Sequence, residues 1–211
     1  MRVALINENS QAAKNELIYN TLTKVAEKYG HTVDNYGMFN ADDLPLTYVQ
    51  NGILAAILIN SGAADFIVTG CGTGEGAMLA CNSFPKVICG LVIEPSDAYL
   101  FGQINDGNAI AMPFAKGFGW GAELNLENCF ENLFKAPFGG GYPKERVVPE
   151  QRNKKILDKV KEASYRPLVD ILKNIDSELL MGAINRPSFK ELFFKNAKDG
   201  QLKDYIASLL K

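Results

Sequence analysis

The segment that most constrains how this chain folds is residues 70–76, in which glycines alternate with Cys71, Thr73 and Glu75. The apolar residues 64–68 before it predict a buried strand, and residues 77–82 after it predict a short helix. A glycine-rich turn between a strand and a helix adopts positive φ at little cost and lets the backbone approach a ligand closely. Its N–H groups and the positive end of the helix favour a bound anion.

The side chains of this loop indicate chemistry as well as packing. A thiol, a hydroxyl and a carboxylate lie close together, so the candidate catalytic residues are Cys71, Thr73 and Glu75. The candidate oxyanion donors are the N–H groups of Gly72, Gly74 and Gly76.

Two other interpretations of the loop remain open. It can be a turn that only packs a strand against a helix. It can also be a dinucleotide fingerprint, because Gly72, Gly74 and Ala77 fit G-x-G-x-x-A and Glu94 ends the next apolar run. The second interpretation implies a nucleotide-dependent oxidoreductase, although the turn follows the third predicted strand and not the first.

The rest of the chain alternates strands and helices up to about residue 134. Apolar strands are predicted at residues 2–6, 64–68, 87–93 and 109–112, and another strand begins at His31. Helices are predicted at residues 12–29, 48–59, 77–82, 96–103 and 120–134. Strands that are apolar throughout are typical of a parallel sheet covered on both faces. We therefore predict an α/β fold with a five-stranded parallel sheet.

The character of the chain changes after the turn-rich residues 137–143. From Glu150 onward the sequence is predicted to be helical and free of strands. We expect a main domain at residues 1–148 and a C-terminal helical extension at residues 149–211, called the tail below. Its apolar periodicity predicts burial against the core or against a second subunit.

Composition excludes several classes of partner. The net charge is -2 and there is no basic cluster, which argues against nucleic acid. No apolar run of membrane length or signal peptide is visible, so we expect a cytoplasmic protein. The four cysteines lack C-x-x-C spacing and His31 is the only histidine, so no metal site is expected. His31 is predicted on the side of the sheet away from the loop.

Three motifs together resemble the family of type B ribose-5-phosphate isomerases and galactose-6-phosphate isomerases. They are the Cys71-Gly72-Thr73-Gly74 loop with Gly76, Ala80 and Asn82; Asn105-Asp106-x-Asn108 before a strand; and Phe138-x-Gly140-Gly141 before a basic segment. The match runs from Met1 to about Val147. The resemblance implies a Rossmann-like domain, a homodimer with shared active sites, and aldose–ketose isomerisation of a phosphorylated sugar without a cofactor.

The resemblance also implies roles for individual residues. In most of the family the base is the cysteine matching Cys71, and in one branch it is a glutamate matching Glu75. We favour Glu75. To act as a base at neutral pH, Cys71 needs a lowered thiol pKa, and the negative charge of an ionised Glu75 opposes that lowering. Thr73 is expected to hydrogen-bond a substrate oxygen. The expected substrate-binding residues are Glu8, Asn9, Asn105 and Asp106, and the expected phosphate-binding residues are Arg146, Lys116 and Lys144.

Three departures from the family pattern bear on the substrate. Glu8-Asn9 stands in place of an Asp-His pair, Ile104 in place of the ring-opening histidine, and Tyr142 in place of one of two arginines. A tetrose 4-phosphate cannot close a five-membered ring and needs no ring opening, so it is the expected substrate. Alternatively, Glu8 or a water molecule opens the ring of a longer sugar, or the chain binds a sugar phosphate without catalysis.

Overall fold

A five-stranded, wholly parallel sheet forms the centre of the computed structural model, which describes all residues 1–211. The strand order is β2-β1-β3-β5-β4. The strands are β1 Arg2–Ile6, β2 Thr32–Asn35, β3 Phe66–Cys71, β4 Cys89–Leu91 and β5 Ala109–Pro113. The predicted five-stranded parallel sheet and the Rossmann-like α/β class are confirmed.

Ten α-helices surround the sheet. In the main domain they are α1 Asn15–Lys28, α2 Tyr48–Ser61, α3 Glu75–Asn82, α4 Pro95–Leu100 and α5 Ala122–Phe134. In the C-terminal part they are α6 Val147–Ser164, α7 Leu168–Asn174, α8 Ser177–Ile184, α9 Pro187–Asn196 and α10 Gln201–Leu209. Shorter turns are the 3-10 helices Asn9–Lys14 and Lys144–Arg146 and the π-helix Phe101–Asn105. None of the helices is long and apolar enough to cross a bilayer.

The alternation of side chains along β1 separates two hydrophobic cores. Val3 and Leu5 join the core on the side of α1 and α5, whereas Ala4 and Ile6 join the core on the side of α2 and α3. Both faces of the sheet are therefore covered, as its apolar strands require.

Two element boundaries differ from the sequence prediction. The fourth strand covers only three residues and lies at the edge of the sheet, where the Asn82 amide binds the Cys89 main chain at both its N–H and its carbonyl. The helix predicted at residues 96–103 divides into α4 and the π-helix. Glu94, and not Ser96, is its N-cap, because Glu94 and Asp97 form a reciprocal capping box.

The tail helices α7, α8 and α10 pack on α2, and α9 shares the same core. Every residue of α2 from 50 to 58 is buried, so α2 is apolar on all sides and lies between the sheet and the tail. The tail side chains in this core include Leu172, Leu180, Ile184, Phe189, Phe193 and Ile206. Helix α6 differs, because it buries none of its residues and exposes Val148, Ile156, Leu157 and Val160. Cover of α6 by a second subunit stays a prediction.

Candidate active site

The turn at Gly74 sets the shape of the glycine-rich loop. Gly74 has φ 82° and is the N-cap of α3. A Cβ at this position would lie 2.7 Å from Leu91 Cδ1 and 2.9 Å from the Met112 carbonyl carbon. A glycine is therefore required here both by the left-handed backbone and by the close approach of β4 and β5.

The hydrogen bonds of this loop separate its glycines into two kinds. The Gly74 N–H donates to Cys71 Sγ at 3.2 Å, so it holds the turn closed. The N–H groups of Gly72, Thr73 and Gly76 have no acceptor within the chain. Gly72 and Gly76 thus remain available as oxyanion donors, whereas Gly74, predicted with them, is already engaged.

The three candidate catalytic side chains differ in exposure. Cys71 is only 8% exposed, at the end of β3. Thr73 and Glu75 are exposed at the start of α3, and the Thr73 hydroxyl accepts a long hydrogen bond (3.4 Å) from the Glu75 N–H. The Glu75 carboxylate has no ion-pair partner in the chain. The accessible, unpaired base of the loop is therefore a carboxylate.

Glu8 lies beside this loop, at the end of the neighbouring strand. Ile6 pairs with Thr69 in the β1–β3 ladder, and adjacent parallel strands lie about 4.8 Å apart, so both strands end close together. The strand order changes direction between β1 and β3, which is where open α/β sheets bind ligands. Glu8 is 3% exposed, and its carboxylate accepts hydrogen bonds from the Ser10 hydroxyl and, at 2.9 Å, from the Ser10 N–H.

Asn9 and Lys116 complete the predicted residues at this edge. Asn9 is exposed, and its N–H donates to the Leu46 carbonyl at 2.7 Å. The loop after β5 is bound to the glycine-rich loop, because the N–H of Lys116 donates to the Gly72 carbonyl at 2.9 Å. The Lys116 side chain is exposed and forms no ion pair.

Tyr48, which the sequence did not indicate, places its ring against the loop. A Cβ at Gly76 would lie 3.3 to 3.5 Å from the Tyr48 ring. Tyr48 lies close to Gly76 because α2 and α3 cross closely. At the crossing, a Cβ at Gly52 would lie 2.6 Å from the carbonyl carbon of Ala80. The sequence feature that could have indicated Tyr48 is Thr47, whose capping box marks the start of α2 and so places Tyr48 in the first turn of that helix.

Asn51 is a second missed residue and ties the two strand ends together. Its Nδ2 donates to the Ile6 carbonyl at 3.3 Å and to the Thr69 hydroxyl at 3.0 Å. The Thr69 hydroxyl in turn donates to the Ile6 carbonyl at 2.8 Å. This fully buried network fixes β1 against β3 directly below Glu8 and Cys71.

The remaining predicted residues lie at the opposite edge of the sheet. Asn105 and Asp106 precede β5, at the ends where the parallel strands begin. Asp106 lines a cavity with Met1, His31 and Asp65, all of which precede strands. Burial raises the pKa of the Asp106 carboxyl. Since β5 has five residues at about 3.3 Å each, the two edges are roughly 17 Å apart.

Lys144 and Arg146 belong to this second edge as well. Residues 137–141 are fixed to the π-helix, because the N–H of Gly139 donates to Gly102 and that of Gly141 donates to Gln103. Val147, which follows Arg146, packs directly on Gly141. Both basic side chains are exposed without an ion pair. One chain therefore brings together Glu8, Asn9, Lys116 and the loop, but not Asn105, Asp106, Lys144 and Arg146.

Glu94, a candidate ribose-binding residue in the dinucleotide interpretation, and His31, the only histidine, both have partners within the fold. The Glu94 carboxylate accepts from the Ser96 hydroxyl at 2.6 Å and caps α4, so it is occupied in the fold. His31 lies at the edge away from the loop, as predicted, where its Nδ1 is 3.2 Å from the terminal amine and its ring packs on Phe134. Burial lowers the pKa of His31.

Comparison with known families decides the class of this site. The sequence model for ribose/galactose isomerases matches residues 3–150, which include every element of both edges described above. The chain belongs to the ribose/galactose isomerase family. A second sequence model, described as ribose-5-phosphate isomerase, matches residues 163–209 in the tail. No curated protein sequence matches the chain.

Two solved structures resemble the whole chain, and a third resembles about three quarters of it. A 4-deoxy-L-threo-5-hexosulose-uronate ketol-isomerase, solved with a tartrate, is 58% identical with a TM-score of 0.97, covering 100% of this chain and 99% of its own. A ribose-5-phosphate isomerase from Vibrio parahaemolyticus is 50% identical with a TM-score of 0.97 and the same coverage. The type B ribose 5-phosphate isomerase from Trypanosoma cruzi shares the fold at 19% identity and a TM-score of 0.64, covering 77% of this chain and 99% of its own. The chain is an enzyme of the sugar isomerase class.

Proposed function

We propose that this enzyme interconverts the aldose and ketose forms of an open-chain anionic sugar, with a 4-deoxy-5-hexosulose uronate as the leading substrate. The observation that carries the proposal is the arrangement of the loop. Free N–H groups of Gly72, Thr73 and Gly76 lie beside the unpaired carboxylate of Glu75. A base next to fixed N–H donors suits a reaction in which a carbonyl oxygen gains negative charge.

In the proposed mechanism, Glu75 is the base. Its carboxylate removes the proton from C2 of the aldose, and the electron pair moves to form an enediolate whose O1 carries the charge. The N–H donors stabilise that oxygen, each by about 3 kcal/mol. The proton then returns to C1 while the C2 hydroxyl loses its own proton to O1, which gives the ketose. Thr73 hydrogen-bonds a substrate oxygen, and Cys71, nearly buried and bound to the Gly74 N–H, shapes the pocket.

The chemistry of the uronate fits the absence of a ring-opening group at Ile104. In a 4-deoxy-5-hexosulose, C4 carries no hydroxyl and C5 is a ketone. Neither the five-membered nor the six-membered ring can therefore close on the C1 aldehyde through these positions. Such a substrate needs no histidine to open it, and it is the sugar in the name of the relative with 58% identity.

The charge of the candidate phosphate site is also compatible with a carboxylate. Tyr142 stands in place of an arginine, and its ring packs edge-on against Tyr99. Arg146, Lys144 and Lys116 remain as unpaired cations for one acidic group. A tetrose 4-phosphate is the second candidate, because it too is open-chain and its dianion can engage several of these cations.

The two edges lead us to propose a homodimer with shared active sites. Glu8, Asn9, Lys116 and the loop come from one chain, and the partner brings Asn105, Asp106, Lys144 and Arg146. We further propose that residues 1–148 carry the catalytic groups, that the tail at residues 149–211 supports them, and that the enzyme is cytoplasmic. The four free cysteines agree with a reducing compartment.

The test is a comparison of kcat/KM on 4-deoxy-5-hexosulose uronate, erythrose 4-phosphate and ribose 5-phosphate. We expect the open-chain substrates to exceed ribose 5-phosphate by at least about 100-fold. Glu75→Gln should lower kcat by about 10²–10⁴ and Cys71→Ser by much less. A preference for ribose 5-phosphate would refute the substrate proposal, and an inactive Cys71→Ser beside an active Glu75→Gln would reverse the base assignment.

A further inference from the structure

A tail residue, Arg186, lies buried against the loop that leads from β2 to α2. It is the N-cap of α9 and is only 1% exposed. Its Nη2 donates to Asp43 Oδ2 at 2.8 Å, and its Nη1 donates to the Leu44 carbonyl. Burial lowers the pKa of the guanidinium and Asp43 opposes that shift. A buried cation that binds one loop carboxylate and one loop carbonyl through its two terminal nitrogens fixes that loop in place.

Asp43 extends this contact across the loop. Its Oδ2 also accepts from the Phe39 N–H at 3.1 Å, and its Oδ1 accepts from the Leu44 N–H at 2.8 Å. A Cβ at Gly37 would lie 3.0 Å from Asp43 Oδ2 and 3.5 Å from Arg186 Nη2. The ion pair therefore packs directly on the backbone of Gly37.

The same loop holds the residues on both sides of Glu8. The Asn7 N–H donates to the Gly37 carbonyl at 2.5 Å, and the Met38 N–H donates to the Asn7 carbonyl at 2.9 Å. The Asn9 N–H donates to the Leu46 carbonyl at 2.7 Å. These three main-chain hydrogen bonds of residues 7–9 are therefore all formed with the loop to which Arg186 is bound.

We infer that Arg186 is a positioning residue of the active site, which fixes residues 37–47 and, through them, the segment that carries Glu8 and the start of α2 at Tyr48. Two other tail contacts lie nearer to β2. Asn196 Nδ2 binds Asp34 Oδ2 at 2.9 Å on β2 itself, and the Ser188 hydroxyl binds the Tyr36 carbonyl at 3.1 Å, just before residues 37–47. The role of Arg186 in catalysis rests on the proposed function, but its effect on the loop does not.

The first measurement needs no substrate. Amide hydrogen exchange is compared in the full-length wild type, Arg186→Met and Asn196→Ala, the last being a matched control that removes a tail-to-sheet hydrogen bond away from the loop. In Arg186→Met we expect the amides of Asn7, Asn9 and Met38 to exchange at least about ten-fold faster, with β3 unchanged. Arg186→Lys keeps the charge but lacks the two terminal nitrogens that bind Asp43 and the Leu44 carbonyl together, so it should give an intermediate exchange rate. Asn196→Ala should match the wild type at these amides.

The second measurement is kcat and KM, well below the unfolding temperature, on a substrate that the wild type turns over. Arg186→Met should lower kcat/KM by at least about ten-fold, and Asn196→Ala should leave it unchanged. Unchanged exchange, acceleration spread equally over β3, or unaltered kinetics would each overturn the inference. If Arg186→Met does not fold, Asp43→Asn takes its place, and loss of fold in both variants would assign the pair to the general core instead. A wild type without activity on any substrate contradicts the proposed function, while the exchange data still decide this inference.

Discussion

Replacing Gly74 by alanine should affect both stability and activity, and Gly121 offers a matched control. Both glycines have φ 82° and both are the N-cap of a helix, Gly74 for α3 and Gly121 for α5. A Cβ at Gly121 would meet nothing within 4 Å, whereas one at Gly74 would lie 2.7 Å from Leu91 and 2.9 Å from the main chain of Met112. The two variants therefore share the cost of a left-handed alanine, and only Gly74→Ala adds a clash.

The expected magnitudes follow from these two contributions. The left-handed backbone costs about 1–2 kcal/mol in each variant. Overpacking against β4 and β5 adds about 1–3 kcal/mol in Gly74→Ala, since the main chain of Met112 cannot move aside as the Leu91 side chain can. For a chain of this length, that difference corresponds to an unfolding midpoint lower by roughly 2–12 °C than in Gly121→Ala.

The assay combines thermal unfolding with turnover. Gly74→Ala should also lower kcat by about 100-fold, because the clash moves the loop that holds the oxyanion donors, while Gly121→Ala keeps the wild-type kcat. Equal unfolding midpoints and equal kcat in the two variants would show that the contacts of Gly74 do not constrain the loop, and the reasoning would be refuted.

Three further predictions address other parts of the chain. Arg146→Ala should raise KM for an anionic sugar by at least about ten-fold, whereas Arg152→Ala, an exposed arginine on α6, should not, and an equal KM for both would remove Arg146 from the site. Truncation after Val148 should give insoluble protein, because it exposes the tail side of α2, and a soluble, active fragment would contradict this. Burial lowers the pKa of His31 in the folded state, so the unfolded state binds more protons and the unfolding midpoint should fall as pH drops below about 6.5. His31→Gln should weaken that dependence, and an unchanged pH profile would exclude His31 as a cause.

Much of the fold could be predicted from the sequence because its signals are local. The apolar strands, the glycine-rich loop and the glycine at position 62 that ends α2 all act within a few residues of their own position. The apolar run at residues 87–93 did not reveal that the fourth strand has only three residues, nor that its outer edge is bound by the Asn82 amide of an element earlier in the chain. Local patterns report what a segment can form, and partners distant in sequence decide where it stops.

In the candidate site, too, the residues that are neighbours in sequence were predictable, and those brought together by the fold were not. The loop residues are consecutive, so their proximity was given by the chain itself. Tyr48 joins them only because Gly52 lets α2 approach α3 closely, and Arg186 reaches the loop at Asp43 across more than half of the chain. The separation of Asn105 from Cys71 follows from strand direction, because residues before a parallel strand and residues after one lie at opposite edges. Arg146 lies with Asn105 because Gly139 and Gly141 bind the π-helix.

The positions that depart from the family pattern divide between the two edges, with Ile104 and Tyr142 at the second. Ile104 lies in the π-helix, and Tyr142 lies in the segment fixed to that helix. At the first edge, the loop keeps the thiol, the hydroxyl, the carboxylate and the free N–H groups, and Glu8 keeps an acidic side chain in place of aspartate, whereas Asn9 stands in place of a histidine. Under the proposed function, proton transfer through an enediolate depends on the first edge, whereas ring opening and recognition of the acidic group depend on the second. We propose that the changes at Ile104 and Tyr142 alter which sugar is accepted and leave the proton transfer in place, which is the pattern expected when one isomerase scaffold moves from a cyclic sugar phosphate to an open-chain acid.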